Sequence, residues 1–504
     1  MTLDSEWVVV HRLVLLSGIE PQNIHCCIQS CIAYTGQYAD IPNTGHPRRT
    51  FMYIPLIPRL QALFHNPTII EQMAYQHNFV QSDRLIRDVF DGEWYHKLRS
   101  RHRRHKYFHK PHDRRRGGPS ATPILLQNFN LPLQIRTRLE NLICVGSFLA
   151  PFDDELRTLD ASTRNHFDLH AYVIFEDGDI VAIEKLLNIK GHNAIQGVRN
   201  ITGHGKPRPS LDPRHLPLRS HQSYLKTHDK LQSATTRTEK AAIAKQTGIR
   251  GPPALRRVES LDYSKSFPYE WMHLFLENVV PTLVNLWTGR FKGLDSGFGN
   301  YEIPDDIWEE IGAETAGAVK DIPAAFVQAL GNIAHDRSNF TAEAWGFWFM
   351  YLAPIILKDQ FEDVKYYDHM CELAGMMKKM LQFQLTYGTN PMGQNIRRDR
   401  LSTCTLPIHG LLHVASGIRF CGPVWTSWTF YMECYCGFLQ AHLHSRRFPW
   451  SNISRRVLYM AYLTQVTVKY DLGEDFHGEL RRGERVFDTC TCSSIYQLTT
   501  WQTV

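Results

Sequence analysis

After Phe267, apolar residues recur at near-3.6 spacing in five stretches, and that repetition commits the second half of the chain to stacked helices. The stretches are Trp271–Trp287, Ile307–Val319, Ala342–Leu357, Tyr366–Phe383 and Ile408–Phe420. A 3.6 period makes one face of each helix apolar, and such faces need partners. Pro281 and Pro354 fall inside two of them and predict a kink or a break. Upstream the pattern changes. Ile124–Gln127 is short and apolar, and Leu133–Val145 is amphipathic. Ala171–Phe175 reads as a buried strand ending on acids, with a helix over Ile180–Leu187. The fold class expected is α/β plus α, with a large α-helical region.

At 504 residues, with 43% hydrophobic and 12% aromatic side chains, the chain can bury a sizeable core, which excludes global disorder. No run of about 18 apolar residues is present, so no membrane span is expected. Trp7–Leu16 is apolar in places, but His11 and Arg12 interrupt it and Asp4 and Glu6 precede it, where a signal peptide carries positive charge. The 11 cysteines are therefore read as reduced intracellular thiols. A net charge of +6 hints at a polyanionic partner, and its distribution is more telling.

Composition shifts divide the chain. Residues 1–50 carry cysteine and histidine among Pro, Asn and Gly. Residues 51–118 are helical and then basic. Residues 119–194 form the α/β block and 195–262 a polar, basic linker, with a short helix over Thr235–Gln246. Residues 263–470 are helical, and 471–504 have no clear period. The basic run holds Lys97, Arg99, Arg101, Arg103, Arg104, Lys106, Lys110, Arg114, Arg115 and Arg116, opposed only by Asp113. With Tyr107 and Phe108 among them, these cations suit phosphate neutralisation with some stacking, or nuclear import. The bland alternative is a solvated loop.

Other candidates also have two readings. Cys26, Cys27 and Cys31 form half of a zinc site, with only His46 following. Structural zinc needs four ligands, so buried free thiols are the favoured reading. Asp177 and Asp179 sit at a strand end, where carboxylates hold a divalent ion in two-metal enzymes and where acids also serve as turn residues. Glu270, His273 and Glu277 share one helix face. His409 and His413 stand one turn apart, and Glu433 lies among Trp425, Trp428, Cys434 and Cys436. Satisfied helix-face polar groups account for these clusters as well. Cys490 and Cys492 are too isolated for a site.

Longer strings go further. They include Phe51-Met-Tyr-Ile-Pro-Leu-Ile-Pro-Arg-Leu60, Asp88-Val-Phe-Asp-Gly-Glu-Trp-Tyr95, Asn128-Phe-Asn-Leu-Pro132, Lys190-Gly-His-Asn-Ala194 and Ser266-Phe-Pro-Tyr-Glu-Trp-Met-His273. Leu286-Trp-Thr-Gly289, Gly422-Pro-Val-Trp425, Met432-Glu-Cys-Tyr-Cys-Gly437 and Ser445-Arg-Arg-Phe-Pro-Trp450 follow in order. In these strings, over roughly residues 25–470, the chain resembles the fungal branch of the CACTA (En/Spm-like) transposases. The resemblance implies a zinc-binding N-terminal segment, an RNase H-like core and a helical region around the last catalytic acid. It also implies nuclear cutting and rejoining of DNA ends with Mg²⁺ or Mn²⁺. By position, Asp179 matches the second acid, Glu270 and His273 an acid-x-x-His motif, and Glu433 the third acid, with Glu277 as its alternative. Asp179 and Glu433 would then be metal ligands.

The chain departs from the family at three metal-related places. The strand carrying the first catalytic Asp, before Asn128, reads as deleted, and Asp113 aligns upstream of that acid. Gly191-His-Asn-Ala-Ile-Gln-Gly197 lacks a following Cys-x-x-Cys, and Cys27 and Cys31 lack a second pair. The expectation is an incomplete core, a degenerate zinc site that has lost its metal, and a transposase-derived copy without catalysis. The alternative is a non-catalytic nuclear DNA-binding or chromatin-associated protein. Either could self-associate.

Overall fold

The structure, a computed structural model, describes residues 5–26, 49–101, 106–112, 125–144, 156–169, 171–190, 219–253, 255–256, 258–291, 299–323, 326–327, 330–386, 406–443 and 449–472. Cys27, Cys31, Asp113, Arg103, Arg104, Arg114, Arg115 and Arg116 lie outside them. The fold is mixed α/β, mostly helical, with small sheets.

Helix α1 (Glu6–Ser17) precedes the antiparallel strands β1 (Gln22–Cys26) and β2 (Arg49–Tyr53). Short helices α2 (Ile57–Ala62), α3 (Pro67–Met73) and α4 (Tyr75–Asn78) lead to strand β3 (Leu85–Ile86) and helix α5 (Glu93–Arg101). Pro58 and Pro67 sit in the first turns of α2 and α3, where a missing N–H costs nothing.

The central sheet comes next. Its strands are β4 (Lys106–His112), β5 (Leu125–Asn128) and, after helix α6 (Leu133–Arg136), β6 (Ile143–Cys144). The hairpin pair β7 (Leu156–Leu159) and β8 (His166–Leu169) precedes β9 (Ala171–Gly178) and helix α7 (Ile180–Leu186). The spatial order is β6-β5-β4-β9, antiparallel through the first three strands and parallel between β4 and β9. The basic run is therefore not one solvated loop: Arg101 closes α5 and Lys106 opens β4. The β-favouring Tyr107 and Phe108 lie in that strand. Residues 113–124, where the resemblance implies a lost strand, lie outside the described residues.

Residues 219–262, read from composition as part of a linker, carry helices α8 (His221–Ser233) and α9 (Arg237–Thr247). Each opens on a reciprocal capping box, Ser220 with Ser223 and Thr236 with Glu239. Tyr224 and Leu231 pack with Val173 of β9 and Ile183, Leu186 and Leu187 of the α7 segment. So narrow an apolar stripe leaves little periodic signal.

The helical region follows the expected stretches. It contains α10 (Val280–Trp287), α11 (Asp305–Ala318), α12 (Ala342–Phe347), α13 (Ala353–Ile356) and α14 (Val364–Met380). The short strand β10 (Leu385–Thr386) pairs with β3, and α15 (Leu406–Cys421), α16 (Phe430–Ala441) and α17 (Pro449–Tyr470) complete it. Neither internal proline breaks its helix. A π-helical segment, Met272–Val279, runs up to α10 just before Pro281, and another, Trp348–Leu352, joins α12 to α13 before Pro354. A proline lacks its N–H and crowds the carbonyl four residues back, and wider i→i+5 turns relieve both. Trp271, Trp308 and Trp348 are fully buried in the shared core. No helix among the described residues is long and apolar enough to cross a membrane.

Two of the matched strings meet in space. Gly422 follows α15 with φ 101°, and a Cβ there would lie 2.9 Å from the Val89 backbone. Asp88, fully buried, takes Arg136 in a two-point ion pair, Nη1 to Oδ1 at 2.9 Å and Nη2 to Oδ2 at 2.8 Å. The Tyr75 hydroxyl also donates to Asp88 Oδ2 at 2.8 Å. These groups join the segment before α5 to α6 and the sheet.

Candidate functional site

Strand β9 is buried along Val173–Asp177, so its closing acids, Glu176 and Asp177, lie in the interior. The chain then leaves the sheet through Gly178, and Asp179 caps α7: its Oδ1 accepts from the Ala182 N–H at 2.6 Å. An Asp in this position satisfies one of the orphan donors of the first helical turn. That capping role occupies part of the carboxylate assigned to metal by resemblance.

Facing this strand end is the turn that enters the 271–287 helix. Glu270 is 3% exposed, and both its oxygens are engaged. Oε1 accepts from the backbone N–H of Met272 and of Thr429, each at 3.0 Å. Oε2 accepts from the His273 N–H at 2.7 Å and stands 2.6 Å from His273 Nδ1. On the other edge of the ring, Nε2 is 3.7 Å from Glu277 Oε2. Burial alone would depress the imidazolium. The hydrogen bond to Glu270 and the charges of Glu270, Glu277 and Asp179 outweigh it and raise the pKa to about 10. His273 is thus an imidazolium at neutral pH, its Nδ1 donating to Glu270 Oε2 and its Nε2 in ion-pair range of Glu277. It is held among carboxylates, so it is no general base there.

Thr429 links this turn to α16. Besides its N–H bond to Glu270, its Oγ1 lies 3.2 Å from His273 Nδ1. Tyr431, two residues on, is buried, and its hydroxyl pKa is pushed up by burial and then by the charges of Asp177 and Glu270. Glu433 occupies the first turn of α16, half-buried, its N–H donating to the Thr429 carbonyl at 3.1 Å.

The structure therefore gathers Asp179, Glu270, His273 and Glu277 and places Glu433 one turn beyond Thr429. Sequence reading missed Thr429 and Tyr431, which reach the cluster across sequence separations of about 160 residues. No local pattern could reveal them.

The Glu270–His273 half of the cluster does not fit a hard dication, because a saturated carboxylate and a cationic ring offer it no ligand. Among the described residues no three His, Cys, Asp or Glu side chains converge as a metal cage. His409 and His413 do converge, with Nε2 atoms 3.1 Å apart, and burial lowers the pKa of His409. Cys434 is disulfide-bonded, against the expectation of reduced thiols, whereas Cys144, Cys371, Cys421 and Cys436 form no disulfide. Comparison with known proteins finds no matching family model, curated protein or solved structure.

Proposed function

We propose that the chain derives from a DNA transposase with an RNase H-like core and acts as a nuclear DNA-binding protein that does not cut DNA. The observation that carries this reading is the end of β9. Acids close a strand running parallel to β4, itself the first strand of an antiparallel meander, and they face the Glu270–His273 turn and the start of α16. That arrangement agrees with an RNase H-like sheet presenting acids from separate elements at one edge.

Loss of cutting follows from the engaged side chains. Two-metal strand transfer needs carboxylates free to hold ions on both sides of the scissile phosphate. Here Glu270 is spent on three backbone donors and one imidazolium, and Asp179 caps a helix. DNA contact belongs to the basic run, with Arg101, Arg103, Arg104, Lys106, Arg114, Arg115 and Arg116 as the phosphate-binding set. The test is a cleavage and strand-transfer assay on the element's own terminal repeats with Mg²⁺ or Mn²⁺. Binding without product is the expected result. Metal-dependent cleavage that disappears in Asp179→Ala would establish an intact centre and overturn the reading.

A further inference from the structure

The α8–α9 hairpin carries a second cationic surface, separate from the basic run. Between residues 219 and 250 the sequence holds Arg219, Lys226, Lys230, Arg237, Lys240, Lys245 and Arg250 against only Asp229 and Glu239. Arg219 is buried, and its Nη2 donates to the Thr247 carbonyl at 2.6 Å, tying the start of α8 to the end of α9. The helices therefore run antiparallel, joined by the three residues 234–236. The other six cations are exposed, and none makes a salt bridge to another described residue. Glu239 is drawn into its capping box by the Thr236 and Thr235 N–H groups.

Shape and anchoring turn this charge into a surface. Tyr224, His228 and Leu231 form the buried stripe of α8, and Lys226 and Lys230 project one turn apart from the opposite side. Tyr263 packs against His221, Tyr224 and His228 and donates its N–H to His221 Nδ1. The hairpin is thus seated on β9 and α7, with its cations held on preformed helices. Backbone order is already paid for before any partner arrives.

We infer that the outer face of the α8–α9 hairpin docks on the phosphate backbone of duplex DNA, beside the carboxylate end of β9. The inference rests on the DNA-binding reading above and names a contact region that this reading does not contain. Duplex DNA is the occupant favoured by charge: six exposed cations on preformed helices, opposed by two acids, complement the closely spaced phosphates of a duplex.

The test uses the full chain and fluorescence anisotropy with a duplex oligonucleotide between 50 and 200 mM salt. Two variants are compared with the parent, Lys226→Ala/Lys230→Ala on α8 and Arg237→Ala/Lys240→Ala/Lys245→Ala on α9. Each lost phosphate contact lowers the slope of log K against log salt by about 0.9, so reductions up to about 2 and about 3 are expected. Lys226→Arg/Lys230→Arg should keep the parental slope, which separates charge from folding. Parental binding with unchanged slopes in both alanine variants overturns the hairpin assignment alone. A parent that fails to bind duplex at 50 mM salt overturns the DNA-binding reading with it. Variants that lose a poly-glutamate ligand while keeping DNA assign the face to an acidic protein instead.

Discussion

Glu270 has no lone pair to spare. A carboxylate offers about four acceptor sites, and here three backbone N–H groups and one imidazolium take them. Removing that acceptor strands a buried imidazolium and three donors, so Glu270→Ala should destabilise the fold by about 3–5 kcal/mol in urea titrations. Glu270→Gln, which keeps one acceptor oxygen, should cost less. The His273 pair also sets a pH dependence. Its folded pKa, about 10, lies above the unfolded value of 6.5. The stabilisation is therefore fully present below pH 6.5 and is lost progressively as pH rises toward 10. The urea midpoint of the parent should fall across that window relative to His273→Asn, and parallel curves would remove His273 as the source.

At the level of elements, the close approach of α15 to the turn before α5 is fixed by a residue without a side chain. Gly422→Ala would place a Cβ 2.9 Å from the Val89 backbone at φ 101°, and neither neighbour is a flexible side-chain tip. A loss of about 1–3 kcal/mol is expected for the strained backbone, more if the two segments part. Thermal melts would read it, and a neutral substitution would mean the junction is softer than the geometry implies. The helices around this junction were legible in the sequence because their apolar faces are broad: Trp271, Phe275 and Val279 declare a buried stripe. The strand β9 and helix α7 were legible too, since a short apolar run ended on acids. Helix α8 was not, because Tyr224 and Leu231 alone give no period and His228 disguises the third buried position. Strand β4 was hidden by its own charge, since a run of Lys, His and Arg argues for solvent. Of the candidate site, Glu270, His273 and Glu277 could be placed on one helix face from spacing, whereas their meeting with Thr429 depends on how distant helices pack.

Over the whole molecule, the two cationic regions predict a steep salt dependence. Neutralising Arg101, Arg103, Arg104, Arg114, Arg115 and Arg116 should abolish most duplex binding at 150 mM salt, with little preference among sequences. Unchanged anisotropy curves would take the run off the DNA-binding surface. The chain also closes on itself. Asn66 Nδ2 donates to the Val468 carbonyl at 3.0 Å and to Asp471 Oδ1 at 2.8 Å, Gln465 reaches the Pro58 carbonyl, and Lys469 reaches the Leu16 carbonyl. Helix α17 is thus the keystone for α1 and α2, although Asn66 and Val468 are 402 residues apart. At 5–20 residues per second, a ribosome needs roughly 20–80 s to span that gap. Throughout that interval α1 and α2 lack the helix that packs against them, so a chain truncated before Pro449 should leave those faces uncovered and melt below the full chain.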